Sequence, residues 1–202
     1  NGNLSNGRMF EETTFTGGPM TKAYAESRQK WEPLFELTQT KGQSESNPVL
    51  SPTDEFASWD LWDRGNLNGA AKKPEMLRTE YWREALKSGL RLEAALGVNP
   101  FKYGANAATD THTALATGDE DNFWGKFVGA EPSATRWKPV MIGAGQPGQI
   151  YSWEQAASGY TGVWATSNTR AAIWDAMKRR ETFATTGPRM SVRFYGGYEF
   201  TD

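Results

Sequence analysis

The sequence contains no cysteine, which excludes disulfide staples and thiolate metal sites and leaves the redox compartment open. It contains one histidine, His112, so a metal site made of histidines alone is excluded as well. Neither sign of charge dominates. Its 22 basic and 24 acidic residues leave a net charge of −2, so neither a nucleic-acid backbone nor an anionic membrane is expected as partner. No apolar run reaches the roughly 20 residues that a bilayer-crossing helix needs, and there is no signal-like charged-then-apolar start. An initiator methionine is missing too: the chain opens NGNLSNGRMF, without a helix or strand pattern leading into it, which reads as a cut end. Asn3-Leu4-Ser5 in that stretch fits a glycosylation sequon, a triplet frequent by chance.

What is present suffices for a core. At 202 residues, 38% of them hydrophobic, the chain fits one domain over 1–202. Residues 20–32 have helix-forming composition, and after Pro33 the run LFELTQ reads as a buried strand. TKGQSESNPVLSP and RGNLNGAAKKP (64–74) are rich in turn formers and read as loops. The spacing predicts a helix from Pro74 to Ala95 or Leu96. Leu77, Tyr81 and Ala85, with Trp82, Leu86, Leu90 and Ala94, would form its apolar stripe, and Gly97 its left-handed stop. Residues 102–109 read as a strand whose C-terminal end delivers Asp110 and His112. The middle, 118–158, is long and irregular, with one helical turn suggested in GDEDNFWGKF. GYTGVWA then reads as a strand and SNTRAAIWDAMKRR as a helix capped by Ser167 or Asn168. Met190, Val192 and Phe194 alternate with polar neighbours as a last strand. Helices alternating with strands predict an α/β domain with parallel pairing.

Three features bear on function. GAGQPG (143–148) matches the dinucleotide fingerprint, but no helical stripe follows it and no acidic residue stands about 20 positions on, so a flexible loop is the reading. Nine tryptophans suggest a stacking surface. Most of the 26 aromatic residues are expected in the core, whereas Trp59, Trp62, Phe123, Trp124 and Trp137 fall in expected loops and are candidate surface aromatics. Finally, on an extended segment residues i and i+2 face the same side, so Asp110 and His112 would aim a carboxylate and an imidazole at one point. A cation would accept both. The same triplet also suits an Asx turn followed by a surface histidine, and two ligands do not complete a catalytic metal site, which wants at least three.

The order of features resembles the closing third of the PHP domain, the polymerase and histidinol phosphatase superfamily of metal-dependent phosphoesterases. KGQSE, SPTDEF, LRTEYWREALKSGLRLEAALGVNPFKYG, TDTHTALATGDEDNFWGK and ATTGPRMSVRFYGG resemble its bacterial branch known as domain-of-unknown-function family 3604, over nearly the whole chain. The resemblance implies the C-terminal part of a distorted β/α barrel and metal-ligand roles for Asp110 and His112, with Glu45 as a further possible ligand. It implies two or three divalent ions (Zn, Mn or Fe) activating a water for attack on a phosphate ester. Lys41, Arg189 and Asn3 would then be substrate-binding residues.

It also implies an earlier His-x-His motif and other ligands that this sequence lacks. They are expected upstream or on a separate N-terminal chain of the same protein. The chain alone should therefore bind metal weakly and hydrolyse little. The location suggested is the bacterial periplasm. The alternative is a non-catalytic domain that binds a carbohydrate or a protein through its loop aromatics, with no metal on Asp110 and His112.

Overall fold

The computed structural model describes residues 2–114, 121, 124–127, 130–156, 159–187 and 189–199. Thr21 opens the first helix, α1 (Lys22–Trp31), its side chain accepting from the Tyr24 amide at 3.3 Å, as short polar residues do at a helix start. Pro33 disfavours continuation, and LFELTQ follows as β1 (Leu34–Gln39). The loop expected next contains a two-residue strand, β2 (Gly42–Gln43), antiparallel to β1 with Thr38 opposite Gln43. Gly42 makes this reversal possible. Its φ is 89°, and a Cβ there would stand 2.8 Å from the Trp62 Cβ.

The single helix expected from Pro74 is two elements: a 3₁₀ stretch (Pro74–Thr79) and α2 (Trp82–Leu96). The break lies at Glu80 and Tyr81, both fully buried. Glu80 is fixed by the Lys72 ammonium at 2.5 Å and the Gly7 amide at 2.9 Å, and Tyr81 is extended at φ −108°. The first amides of α2 therefore find partners outside the helix: Trp82 donates to the Ser44 carbonyl and Arg83 to that of Glu45, which satisfies groups every helix start leaves open. Gly97 ends α2 in the left-handed conformation, as expected. The buried face is Ala85, Ser88, Gly89 and Leu92, not the predicted Leu86, Leu90 and Ala94; Leu90 is 66% exposed.

The predicted 102–109 strand is the shorter β3 (Gly104–Ala107), parallel to β1 with Phe35 opposite Ala105 and Thr38 opposite Ala107. Phe35 and Leu37 point into the main core with Phe10, Met20, Ala25, Ala85, Leu92 and Phe101, beneath α1 and α2. Phe10 packs edge-on to Phe35 and Phe101 at 4.9 and 5.7 Å, geometry that aromatic quadrupoles favour. A smaller core joins Leu4, Trp62, Ile142 and Ile150 beside the antiparallel pair β4 (Val140–Ile142) and β5 (Ile150–Tyr151).

The last unit is β6 (Gly159–Val163), α3 (Arg170–Lys178) and β7 (Thr182–Thr186). Thr169 caps α3, not Ser167 or Asn168: its hydroxyl accepts from the Ala172 amide. Parallel pairing fails here. Arg180 turns back at φ 65° and β7 runs antiparallel to β6, Gly159 opposite Thr186. Thr161 joins this pair to β3, its hydroxyl donating to the Ala107 carbonyl at 2.7 Å and accepting the Ala107 amide at 2.9 Å. The predicted last strand is absent: Met190, Val192 and Phe194 are exposed and lie outside any strand. That segment instead lies along β6 by cation–π contacts, Arg193 4.3 Å from the Trp164 ring and Arg189 5.2 Å from Tyr160.

The class is thus mixed α/β, as expected, in one three-stranded sheet and two two-stranded ones, and the described residues close no barrel. Among them no helix is long and apolar enough to cross a membrane. The helical turn suggested in GDEDNFWGKF falls on a stretch of which residues 118–120 and 122–123 lie outside the described residues. GAGQPG follows β4 but opens no helix. A Cβ on Gly143 would fall 2.5 Å from the Gly69 Cα, and the Gly148 amide donates to the Gly69 carbonyl at 2.8 Å, so these glycines let two loops meet backbone to backbone.

Candidate functional site

Because β1 and β3 are parallel, the segments leaving their C-terminal ends emerge at the same edge, where open α/β sheets place ligands. Lys41 follows β1 and Asp110 follows β3. The Lys41 backbone is fixed on both sides: its amide donates to the Gln39 side chain at 2.7 Å and its carbonyl accepts from Asn3 Nδ2 at 3.0 Å. Its ammonium meets Asp110 Oδ2.

Asp110 sits in the left-handed region at φ 52°, which short polar side chains tolerate. The convergence of Asp110 with His112 therefore comes from a turn past the strand, not from strand alternation. His112 Nε2 lies 3.3 Å from Asp110 Oδ1. The turn is held by residues 124–127: the His112 amide donates to the Lys126 carbonyl at 2.6 Å, and Thr111 Oγ1 to that of Gly125 at 2.6 Å. Lys126 Nζ donates to the Asp110 carbonyl at 2.8 Å and reaches Asp110 Oδ2 as well. One carboxylate thus faces an imidazole with one oxygen and two ammoniums with the other.

Both ammoniums are largely buried, with 10% and 5% of their side chains exposed, whereas His112 is open to solvent. Burial, and then the Lys126 ammonium, pushes Lys41 down to about 7, against the pull of Glu36. Burial likewise pushes Lys126 down. The adjacent Asp110 carboxylate opposes both shifts by favouring the charged amines.

The other expected site residues are placed differently. Asn3 is fully buried: its amide donates to the Lys41 and Trp62 carbonyls, each at 3.0 Å, and its Oδ1 accepts from Ser44. It positions the Lys41 turn and presents nothing to a ligand. Glu45 pairs with Arg83 at 2.7 Å. Arg189 is exposed over Tyr160. Sequence reasoning missed Lys126, which lies 16 residues from Asp110 in a stretch without periodicity. Of the loop aromatics, Trp62 is buried and donates from Nε1 to the Glu154 carbonyl at 2.6 Å. Trp59, Trp124 and Trp137 are exposed, and Phe123 lies outside the described residues.

Asp110 and His112 are oxygen and nitrogen donors suited to Zn, Mn or Fe. Their 3.3 Å separation is about the edge of a tetrahedron whose donors stand roughly 2.0–2.1 Å from its centre. It equally suits a weak hydrogen bond. The pair fits as part of a donor set, and among the described residues no group of three or more His, Asp or Glu is placed to hold an ion.

Comparison with curated proteins and with solved structures gives no match. The family model described as "Protein of unknown function (DUF3604)" matches residues 1–202. The chain, over the whole of its length, belongs to the DUF3604 family.

Proposed function

We propose that this chain carries part of the active site of a divalent-metal-dependent phosphoesterase of the PHP superfamily, and that its strands are the closing portion of a distorted β/α barrel. The observation that supports this reading best is the placement of Asp110 Oδ1 and His112 Nε2, 3.3 Å apart, at the C-terminal edge of the parallel pair β1–β3. The two side chains would hold one ion, and further ligands would complete its shell. When bound, the ion supplies Lewis acidity and a water made acidic enough to act near neutral pH.

The chain's own groups do the rest. Lys41 and Lys126 bring two ammoniums to the same carboxylate, where they offset charge that develops on phosphoryl oxygens and orient the ester. Their burial strengthens that effect, since fixed charges act more strongly out of water. Asn3, by gripping the Lys41 carbonyl, keeps that ammonium in position. Glu45 is held by Arg83 and Arg189 lies on Tyr160; they join the site only if these contacts break.

The test is elemental analysis of the protein purified as it occurs in the cell, with aryl-phosphate turnover measured alongside. The reading expects Zn, Mn or Fe, lost together with turnover in Asp110→Ala and in His112→Ala. Metal content and turnover unchanged in both variants would refute it.

A further inference from the structure

We infer that the groove formed by Gln43, Glu45, Asp54, Phe56, Trp59 and Arg83 is a binding site for a neutral carbohydrate. None of these residues belongs to the Asp110 cluster, and Glu45, the further ligand that the metal reading allows, is held in the groove by Arg83. The groove encloses about 330 Å³, at the small end of ligand pockets and enough for one or two sugar rings.

Phe56 and Trp59, 69% and 70% exposed, stand beside it. A tight turn fixes them three residues apart: the Phe56 amide donates to Asp54 Oδ1 at 2.9 Å, and the Trp59 amide to the Phe56 carbonyl at 2.9 Å. Large apolar surface left out of the core but set on a rigid turn marks an interaction site, and little entropy is lost when such rings engage a ligand.

Charge selects the ligand. Arg83 is held by two carboxylates, Nη2 to Glu45 Oε1 at 2.7 Å and Nη1 to Asp54 Oδ2 at 2.6 Å. Asp60 lines the same groove. Three carboxylates against one guanidinium leave an excess of negative charge that disfavours an anion, while the ion pairs of Glu45 and Asp54 with Arg83 weaken their pull on a cation. A neutral ring with an apolar C–H face and outward hydroxyls satisfies both parts. Its face packs on the aromatic rings, and its hydroxyls donate to carboxylates, each of which has about four acceptor positions.

The experiment is a tryptophan-fluorescence titration in EDTA with glucose-, mannose-, galactose- and N-acetylglucosamine-containing neutral disaccharides, confirmed by saturation-transfer NMR. At least one is expected to bind. Trp59→Ala, a truncation at an exposed position, should weaken it by about tenfold or more, whereas Trp59→Phe should keep affinity within about threefold. The NMR readout serves for both variants, and unchanged thermal denaturation checks that they fold. No binding by any of the four, binding indifferent to Trp59→Ala, or stronger binding of an anionic disaccharide or a lysine-rich peptide would overturn the inference.

Discussion

Asp110 and Glu80 are both carboxylates beside lysines, one at a sheet edge and the other inside. Burial raises the Glu80 carboxyl above the ordinary range, against the pull of Lys72 and the Gly7 amide. Between the ordinary and the raised value, the folded protein holds a proton that the unfolded chain has released. Stability therefore falls as pH rises through that window. Urea denaturation should record this fall as pH rises above the ordinary value of 4.5, and Glu80→Gln should flatten it. Glu80→Ala leaves the Lys72 ammonium buried without its carboxylate and should cost about 3–5 kcal/mol. A loss under 1 kcal/mol would mean that the pair is solvated. The pairing of Asp110 with His112 was legible because two residues apart is a local relation. Lys126 was not, because its approach depends on how 124–127 fold back on the turn at 110–114, which no spacing encodes.

The element scale separates what a pattern carries from what packing decides. LFELTQ, the Gly97 stop and β6 stood where composition and turn chemistry put them. Of the helix stripe, Leu77, Tyr81 and Ala85 are buried as expected, whereas Leu86, Leu90 and Ala94 are not, because an apolar residue every fourth position fits two faces. The break at Glu80 and Tyr81, with Trp82 and Arg83 bonded to Ser44 and Glu45, sets which face turns inward. Substitution tests the choice directly. Leu92→Ala should destabilise by about 2–5 kcal/mol, whereas Leu90→Ala should stay within about 0.5 kcal/mol; the reverse order in chemical denaturation would restore the predicted stripe. The β1–β2 turn makes a second test. Gly42→Ala requires an unfavourable φ and a contact at 2.8 Å with Trp62, so it should cost about 1–3 kcal/mol and shift the Lys41 resonances in NMR spectra.

For the whole molecule, strands alternating with helices were legible as α/β, while strand direction was not. β6, α3 and the last strand expected at Met190, Val192 and Phe194 read as a parallel unit; the strand that follows α3 is instead β7, reversed at Arg180, a single left-handed residue that periodicity does not register. The consequence is a set of small sheets joined through side chains such as Thr161, with the candidate site at the one parallel edge among the described residues. The central claim is that this edge holds a cation between Asp110 and His112. With a single histidine in the chain, the imidazole signals in ¹⁵N-edited NMR report on this site alone, free of overlap. On titration with Mn²⁺ up to millimolar concentration, those signals should broaden before the rest of the spectrum, and the broadening should vanish in Asp110→Ala. An imidazole that stays sharp through the titration, or that broadens equally in Asp110→Ala, would contradict the account.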